Sequence, residues 1–285
     1  MWKQQFIHTD RGTFELFTKG HGEPICITHL YSQFNETGDY FANSFTSLYK
    51  VILINLKDAG NSVTASEEDE LSMKETIQDL EAIREALHIS SWHFAGHSTG
   101  GMLGLLYAIN YPKSLQSLVV IGAAASDYTK TKDCIYHLEH PQFSYMQQLI
   151  EDLKLPQLTK EERITLSTER TKLSLYKPEQ YETYFSKAIY KTMATSRMNY
   201  FAKEFRSFDV SEQLTNITTK TLIICGKHDV QCPIASSLQI HQGIQGSSFI
   251  PFENSNHYPF LEEEKKFASV ITTFYHSLKE GSEHL

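Results

Sequence analysis

Short apolar runs alternate with amphipathic stretches through most of the chain, and the alternation breaks once. The first two runs, "KQQFIH" and "TFELFTKG", flank "DRG", a pattern that predicts a β-hairpin. "EPICITHLY", "YKVILINL", "WHFAG", "LQSLVVIGAAA", "TKTLIICG" and "SSFIPF" follow it. Most of these are nearly continuous apolar runs bounded by turn residues, as expected of strands buried on both faces. Helical patterns fall between them. "FNETGDYFANSFTSLY" predicts a helix after the third strand, and "SMKETIQDLEAIREALH" sets Ile77, Leu80, Ile83, Ala86 and Leu87 on one helical face. "TGGMLGLLYAINYP" predicts a helix that stops before Pro112, and "PIASSLQIHQGI" opens with Pro233 in a first turn. "EEEKKFASVITTFYHSLK" has acids at its start and a lysine near its end, as the helix dipole favours.

A hairpin followed by alternating strands and helices predicts an α/β fold with a mostly parallel, doubly wound sheet. Residues 127–208 interrupt it. They are charged, tyrosine-rich and helix-like, carry no run that reads as a buried strand, and are too long for a plain loop. The expected organisation is a core domain of residues 1–126 and 209–285, with residues 127–208 inserted as a helical cap.

Size and charge narrow the function. A chain of 285 residues buries roughly 75% of its unfolded surface and needs no disulfide to hold a core. The net charge is −8 with no basic stripe, which argues against nucleic acid or an anionic membrane surface as partner. A small-molecule substrate is the expected partner. Cys26, Cys134, Cys225 and Cys232 include no C-x-x-C pair, and two lie in strand-like runs. That usage suits a reduced, cytoplasmic protein. "MWKQQFIHTDRG" lacks the apolar stretch of a signal peptide, and no window of about 18 apolar residues suggests a membrane span.

The candidate chemistry starts at "AGHSTGG", where Ser98 stands between Gly96 and the pair Gly100 and Gly101. A serine at a sharp strand-to-helix turn needs small neighbours two residues away on each side. The helix N-terminus then points its free N–H groups at the hydroxyl's surroundings, and the N–H of Thr99 can meet a developing oxyanion. Serine needs a base. Of 13 histidines, His257 in "ENSNHYPFLEE" follows the last strand run and precedes the last helix. His97 adjoins Ser98 but is expected to face the other side of the turn in a structural role. The base needs a carboxylate, and Asp229 in "GKHDVQCP" ends the preceding strand, where an aspartate also commonly caps a helix. Asp127 is the reserve candidate. "HLEHP" offers His137 and His140 but no third metal ligand, so neither metal nor cofactor is expected.

"GHSTGG", "GKHDVQCP" and "NHYPFLEE", in that order over the whole chain, resemble the α/β-hydrolase superfamily in its capped, serine-nucleophile branch. The layout is similar to proline iminopeptidases and to small-ester and carbon–carbon bond hydrolases. The resemblance implies a Ser98–His257–Asp229 triad and a second oxyanion donor after a His-Gly pair. Here "THLYSQ" keeps His29, replaces the glycine by Leu30 and places the donor on Tyr31; Asn256 stands where many relatives have glycine. The implied function is a serine hydrolase of small carboxylic esters or related acyl compounds. An iminopeptidase-like peptidase, with Glu204 or another cap acid receiving the substrate's ammonium, is one alternative. A non-catalytic small-molecule sensor of the same fold is another.

Overall fold

A computed structural model of the chain describes residues 1–155 and 157–280. The chain opens with an antiparallel hairpin, β1 (Lys3–Thr9) and β2 (Gly12–Lys19), then runs through β3 (Pro24–Ile27), the short β4 (Ser32–Gln33), α1 (Tyr40–Asn43) and β5 (Lys50–Ile54). α2 (Met73–Ala86), β6 (Trp92–His97), α3 (Thr99–Asn110) and β7 (Leu115–Ile121) follow. The segment after β7 holds α4 (Phe143–Leu153), α5 (Lys160–Lys172), α6 (Tyr181–Tyr184), β8 (Thr192–Met193) and α7 (Thr195–Glu204). The sheet resumes at β9 (Lys220–Gly226), α8 (Ile234–Gly243) and β10 (Ser248–Phe252), before α9 (Pro259–Glu262) and α10 (Glu264–Glu280).

Eight strands form one sheet in the order β1-β2-β5-β3-β6-β7-β9-β10. Only the pairings of β2 with β1 and β5 are antiparallel; the rest are parallel. Strand periodicity divides the core in two. Ile52, Ile54, Phe94, Leu118 and Val120 pack with Ile77, Leu80, Ile83 and Leu103 on one face. Their strand neighbours Val51, Leu53, Ala95, Val119 and Ile121 pack with Phe41, Phe45, Phe267 and Ile271 on the other. Burial on both faces explains why these strands read as unbroken apolar runs. No described helix is long and apolar enough to cross a membrane.

The helix expected over "FNETGDYFANSFTSLY" is much shorter than its pattern. Asp39 caps α1 by accepting the N–H groups of Phe41 and Ala42, and the helix ends at Asn43. Ser44 and Thr46 then hydroxyl-bond the carbonyls of Tyr40 and Asn43, the local competition that discourages helix continuation in polar stretches. Tight turns still bury Phe41 and Phe45.

An antiparallel bridge between Ser126 and Asp209 closes the base of the helical insertion. β8 pairs with β4, the one strand contact the insertion makes with the body among the described residues. No residue of α5 is fully buried, and α4 buries only Met146 and Leu149.

Candidate active site

Ser98 joins β6 to α3 with φ 56° and ψ −123°, a left-handed conformation that a side-chain-bearing residue adopts only under constraint. The constraint is close packing. A Cβ on Gly96 would collide with the carbonyl of Gly100, and one on Gly100 with the carbonyl of Thr28. The Ser98 N–H donates to the Ile121 carbonyl at 2.9 Å, and its side chain does not cap the helix that it precedes. Ser98 is 9% exposed.

Asp229 and His257 meet beside this turn. Asp229 Oδ1 accepts the N–H groups of Gln231 and Cys232 at 2.8 and 2.9 Å, while Oδ2 accepts from His257 Nδ1 at 2.9 Å. The two roles weighed for this aspartate, capping a turn and holding a histidine, are thus divided between its two oxygens. A proton on Nδ1 leaves Nε2 of the neutral ring as an acceptor. Gly122, at the end of β7 with φ 51°, lets the backbone pass: a Cβ there would lie 2.9 Å from Asp229 Oδ2 and 3.3 Å from His257 Nδ1. His257 is 2% and Asp229 4% exposed. Asn256 has a use that a glycine lacks, since its Oδ1 accepts the Val230 N–H at 3.0 Å and ties the histidine loop to the acid turn.

His97 lies under the histidine loop: its ring is tilted against that of His257 with centroids 4.5 Å apart, and its Nε2 donates to the His257 carbonyl at 2.7 Å. Its role is structural, as a brace under the histidine loop. From the insertion side the His257 N–H donates to the Ser174 carbonyl. Burial holds the pKa of His97, and likewise of His29, well below the ordinary imidazole value, so both rings stay neutral.

The oxyanion loop is built differently. His29 Nδ1 is hydrogen-bonded to Ser32 Oγ at 3.0 Å and its Nε2 to Thr99 Oγ1 at 3.1 Å, so this ring joins the loop to the start of α3. As first helical residue, Thr99 has no acceptor for its N–H within α3. The Tyr31 N–H has no hydrogen-bond partner among the described residues. Leu30, in the family's glycine position, points into the core, where it is buried with Leu56, Met73 and Met102. Its carbonyl is held by Nε of Arg197, a residue on α7 that sequence reasoning missed. Arg197 is 1% exposed and also donates to the carbonyls of Lys57 and Leu71 and to Thr76 Oγ1. Burial lowers its pKa to about 10, leaving it charged. Nothing in the local pattern marks this arginine among 26 basic residues.

The remaining candidates are engaged elsewhere. Glu204 accepts the Met73 N–H at the start of α2 through both oxygens, at 3.0 and 3.2 Å. Asp127 Oδ1 accepts from the N–H and hydroxyl of Thr129. His137 and His140 accept the N–H groups of Glu139 and Gln142 in local turns. Among the described residues, no group of three or more His, Cys, Asp or Glu side chains could hold a metal ion. Two cavities flank the site. One, of about 460 Å³, runs between the insertion and the outer side of Asp229; the other, of about 10 Å³, lies between His29, His97, Asp39 and Lys191. The second has room for about one water.

A strained serine at a strand-to-helix turn, with a buried carboxylate–imidazole pair on the next strand ends, defines a class, and comparison with known proteins agrees. Residues 21–264 match the family model described as alpha/beta hydrolase fold. The chain belongs to that family, and as an enzyme it is a serine hydrolase. A solved alpha/beta fold family hydrolase from Bacillus anthracis str. Sterne shares 44% identity at a TM-score of 0.93, covering 98% of this chain and 99% of that one. A proline iminopeptidase from Saccharolobus solfataricus is 27% identical over 75% of this chain and 72% of its own length. The AB hydrolase superfamily protein YisY of Bacillus subtilis is 25% identical over 90% and 93%.

Proposed function

We propose that the protein hydrolyses a small carboxylic ester or related acyl compound through Ser98, His257 and Asp229, beneath a cap formed by residues 127–208. The observation that carries this reading is the buried His257–Asp229 pair, whose bond fixes the tautomer a general base requires. Neutral His257 takes the Ser98 proton at Nε2 as the hydroxyl attacks the carbonyl carbon. Asp229 orients the ring and stabilises the imidazolium. The N–H groups of Thr99 and Tyr31 receive the oxyanion, the leaving group departs with the proton from His257, and water releases the acyl group by the same steps. Each oxyanion donor lowers the barrier by about 3 kcal/mol. Four free, buried cysteines support action in a reducing compartment such as the cytoplasm.

Relatives named proline iminopeptidase favour a peptidase as second reading. Its requirement for an acid that receives the substrate's ammonium is not supplied by Glu204, whose oxygens hold the start of α2. The test is hydrolysis of p-nitrophenyl acetate and of prolyl-p-nitroanilide, with fluorophosphonate labelling of Ser98. Ester turnover that disappears in Ser98→Ala and drops about 10⁴-fold in Asp229→Asn is expected. Undiminished turnover in Ser98→Ala would overturn the reading, and a preference for the prolyl anilide would favour the peptidase.

A further inference from the structure

Most described arginines are satisfied. Arg11 pairs with Glu75 and Asp79, Arg84 with Glu81, Arg163 bonds two carbonyls and Arg197 bonds three carbonyls and a hydroxyl. Arg206 is exposed to water. Arg170, in the last turn of α5, differs from all of them. It is half-buried, its Nε is buried with no hydrogen-bond partner, and no carboxylate pairs with it among the described residues. Leaving a buried, charged donor unpaired is costly, so the position asks for an acceptor from outside the chain.

The surroundings place that acceptor at the candidate active site. Tyr31, Tyr136 and Tyr258 are each enclosed by protein, which raises their hydroxyl pKa values, and the Arg170 charge opposes the rise at all three. All three keep some accessible surface. Tyr31 carries the oxyanion candidate N–H. The Tyr258 ring lies 5.4 Å from that of His257, and the Tyr136 hydroxyl donates to Gln231 of the acid turn. Ser174, four residues past Arg170, accepts the His257 N–H through its carbonyl and the Gln231 side-chain amide through its hydroxyl, so the end of α5 that carries Arg170 packs against the histidine loop and the acid turn. The acids of the neighbourhood are occupied: Asp229 by His257, and Glu262 by the N–H groups of Tyr176, Asn256 and Tyr258. The other cation near Tyr31, Lys191, is paired with Asp39 at 3.0 Å. One uncompensated guanidinium remains, in a chain whose net charge is −8.

We propose that Arg170 receives a carboxylate on the substrate, so that the enzyme acts on acyl compounds that carry a free carboxylate in addition to the bond cleaved. A guanidinium matches a carboxylate's two oxygens, and one free positive charge suits a monoanion better than a phosphate dianion. The proposal rests on the reading that Ser98 attacks an acyl carbon under this cap.

The experiment compares monomethyl esters of succinic, glutaric, adipic and suberic acids with the matching esters whose free carboxylate is a carboxamide. Hydrolysis is followed with the wild type, Arg170→Gln and Arg170→Lys. Binding is followed by calorimetry on Ser98→Ala, with and without Arg170→Gln. At the best chain length the wild type is expected to favour the carboxylate, and Arg170→Gln to cut the ratio of kcat/KM values by about tenfold or more. Arg170→Lys is expected to recover part of that ratio. The binding preference of Ser98→Ala should vanish in the double variant. A ratio near one at every chain length, or a ratio and binding preference untouched by Arg170→Gln, overturns the proposal. Turnover that survives in Ser98→Ala instead overturns the nucleophile assignment, while a calorimetric preference that depends on Arg170 still supports the carboxylate site.

Discussion

The serine turn and the loop around Tyr31 meet at the bond between His29 and Thr99, yet they are held in different ways. The turn is fixed mainly by close packing of backbone: Gly96 admits the Gly100 carbonyl and Gly100 that of Thr28, where any Cβ would collide, and β6 and α3 lock both ends. The loop is fixed from far along the chain. Arg197 holds the Leu30 carbonyl, the Ala194 N–H donates to the Tyr31 carbonyl at 2.8 Å, and β8 pairs with β4. One half of the site is a local steric solution, and the other depends on an insertion that contributes few buried residues. Of the two proposed oxyanion donors, Thr99 is therefore held with the serine turn, and Tyr31 depends on the insertion.

Four measurements would break or sharpen that contrast. The largest effect is expected from Gly96→Ala, because the new methyl meets rigid backbone rather than a movable side chain. It should cost roughly 3 kcal/mol or more of stability, read as the urea midpoint, and abolish fluorophosphonate labelling. A variant that unfolds at the wild-type midpoint would mean that the turn is not sterically fixed.

Arg197→Met comes next. It leaves the Leu30, Lys57 and Leu71 carbonyls unpaired, and should lower stability by about 2 kcal/mol. If the loop depends on the insertion, kcat should fall more than KM rises while fluorophosphonate labelling persists, and Arg197→Lys should restore part of kcat. Equal loss of labelling and kcat would mean that the arginine serves the fold as a whole.

Asn256→Ala removes the acceptor for the Val230 N–H. A loss of about 1 kcal/mol in thermal unfolding is expected, with a smaller drop in kcat/KM as the histidine loop loosens from the acid turn. An unchanged melting temperature would leave the asparagine without a structural role.

The smallest effects concern pH. His29 and His97 have folded pKa values well below the ordinary imidazole value of 6.5 because burial disfavours their charge. The folded state then binds fewer protons than the unfolded one, so their contribution is present above pH 6.5 and is lost as pH falls below it. Glu262 acts in the other direction. Burial raises its pKa from 4.5 to about 6, so it favours the folded state at low pH and that contribution is lost as pH rises through this window. Thermal melts of the wild type and Glu262→Gln across pH 4 to 8 separate the two. The wild type should lose stability on acidification, and the variant should lose it more steeply.

Legibility followed the same division. The parallel sheet could be read because burial on both faces writes apolar runs, and Ser98 because a crowded turn demands glycine at fixed spacing. Asp229 and His257 were marked by their places after strand runs. The short α1 was misread because its apolar spacing suits a helix while Ser44 and Thr46 satisfy backbone carbonyls locally. That His97 braces the histidine loop was not legible, because chain adjacency to Ser98 says nothing of which loop packs against it.

The sequence by itself determined the sheet, the strained serine and the order in which hydroxyl, carboxylate and imidazole arrive, since each follows from periodicity or from contacts within a few residues. The tertiary structure decided what Leu30, Arg197, Asn256 and Arg170 do. Their partners lie dozens to more than a hundred residues away, and a charge is satisfied or left free only by what folding brings beside it.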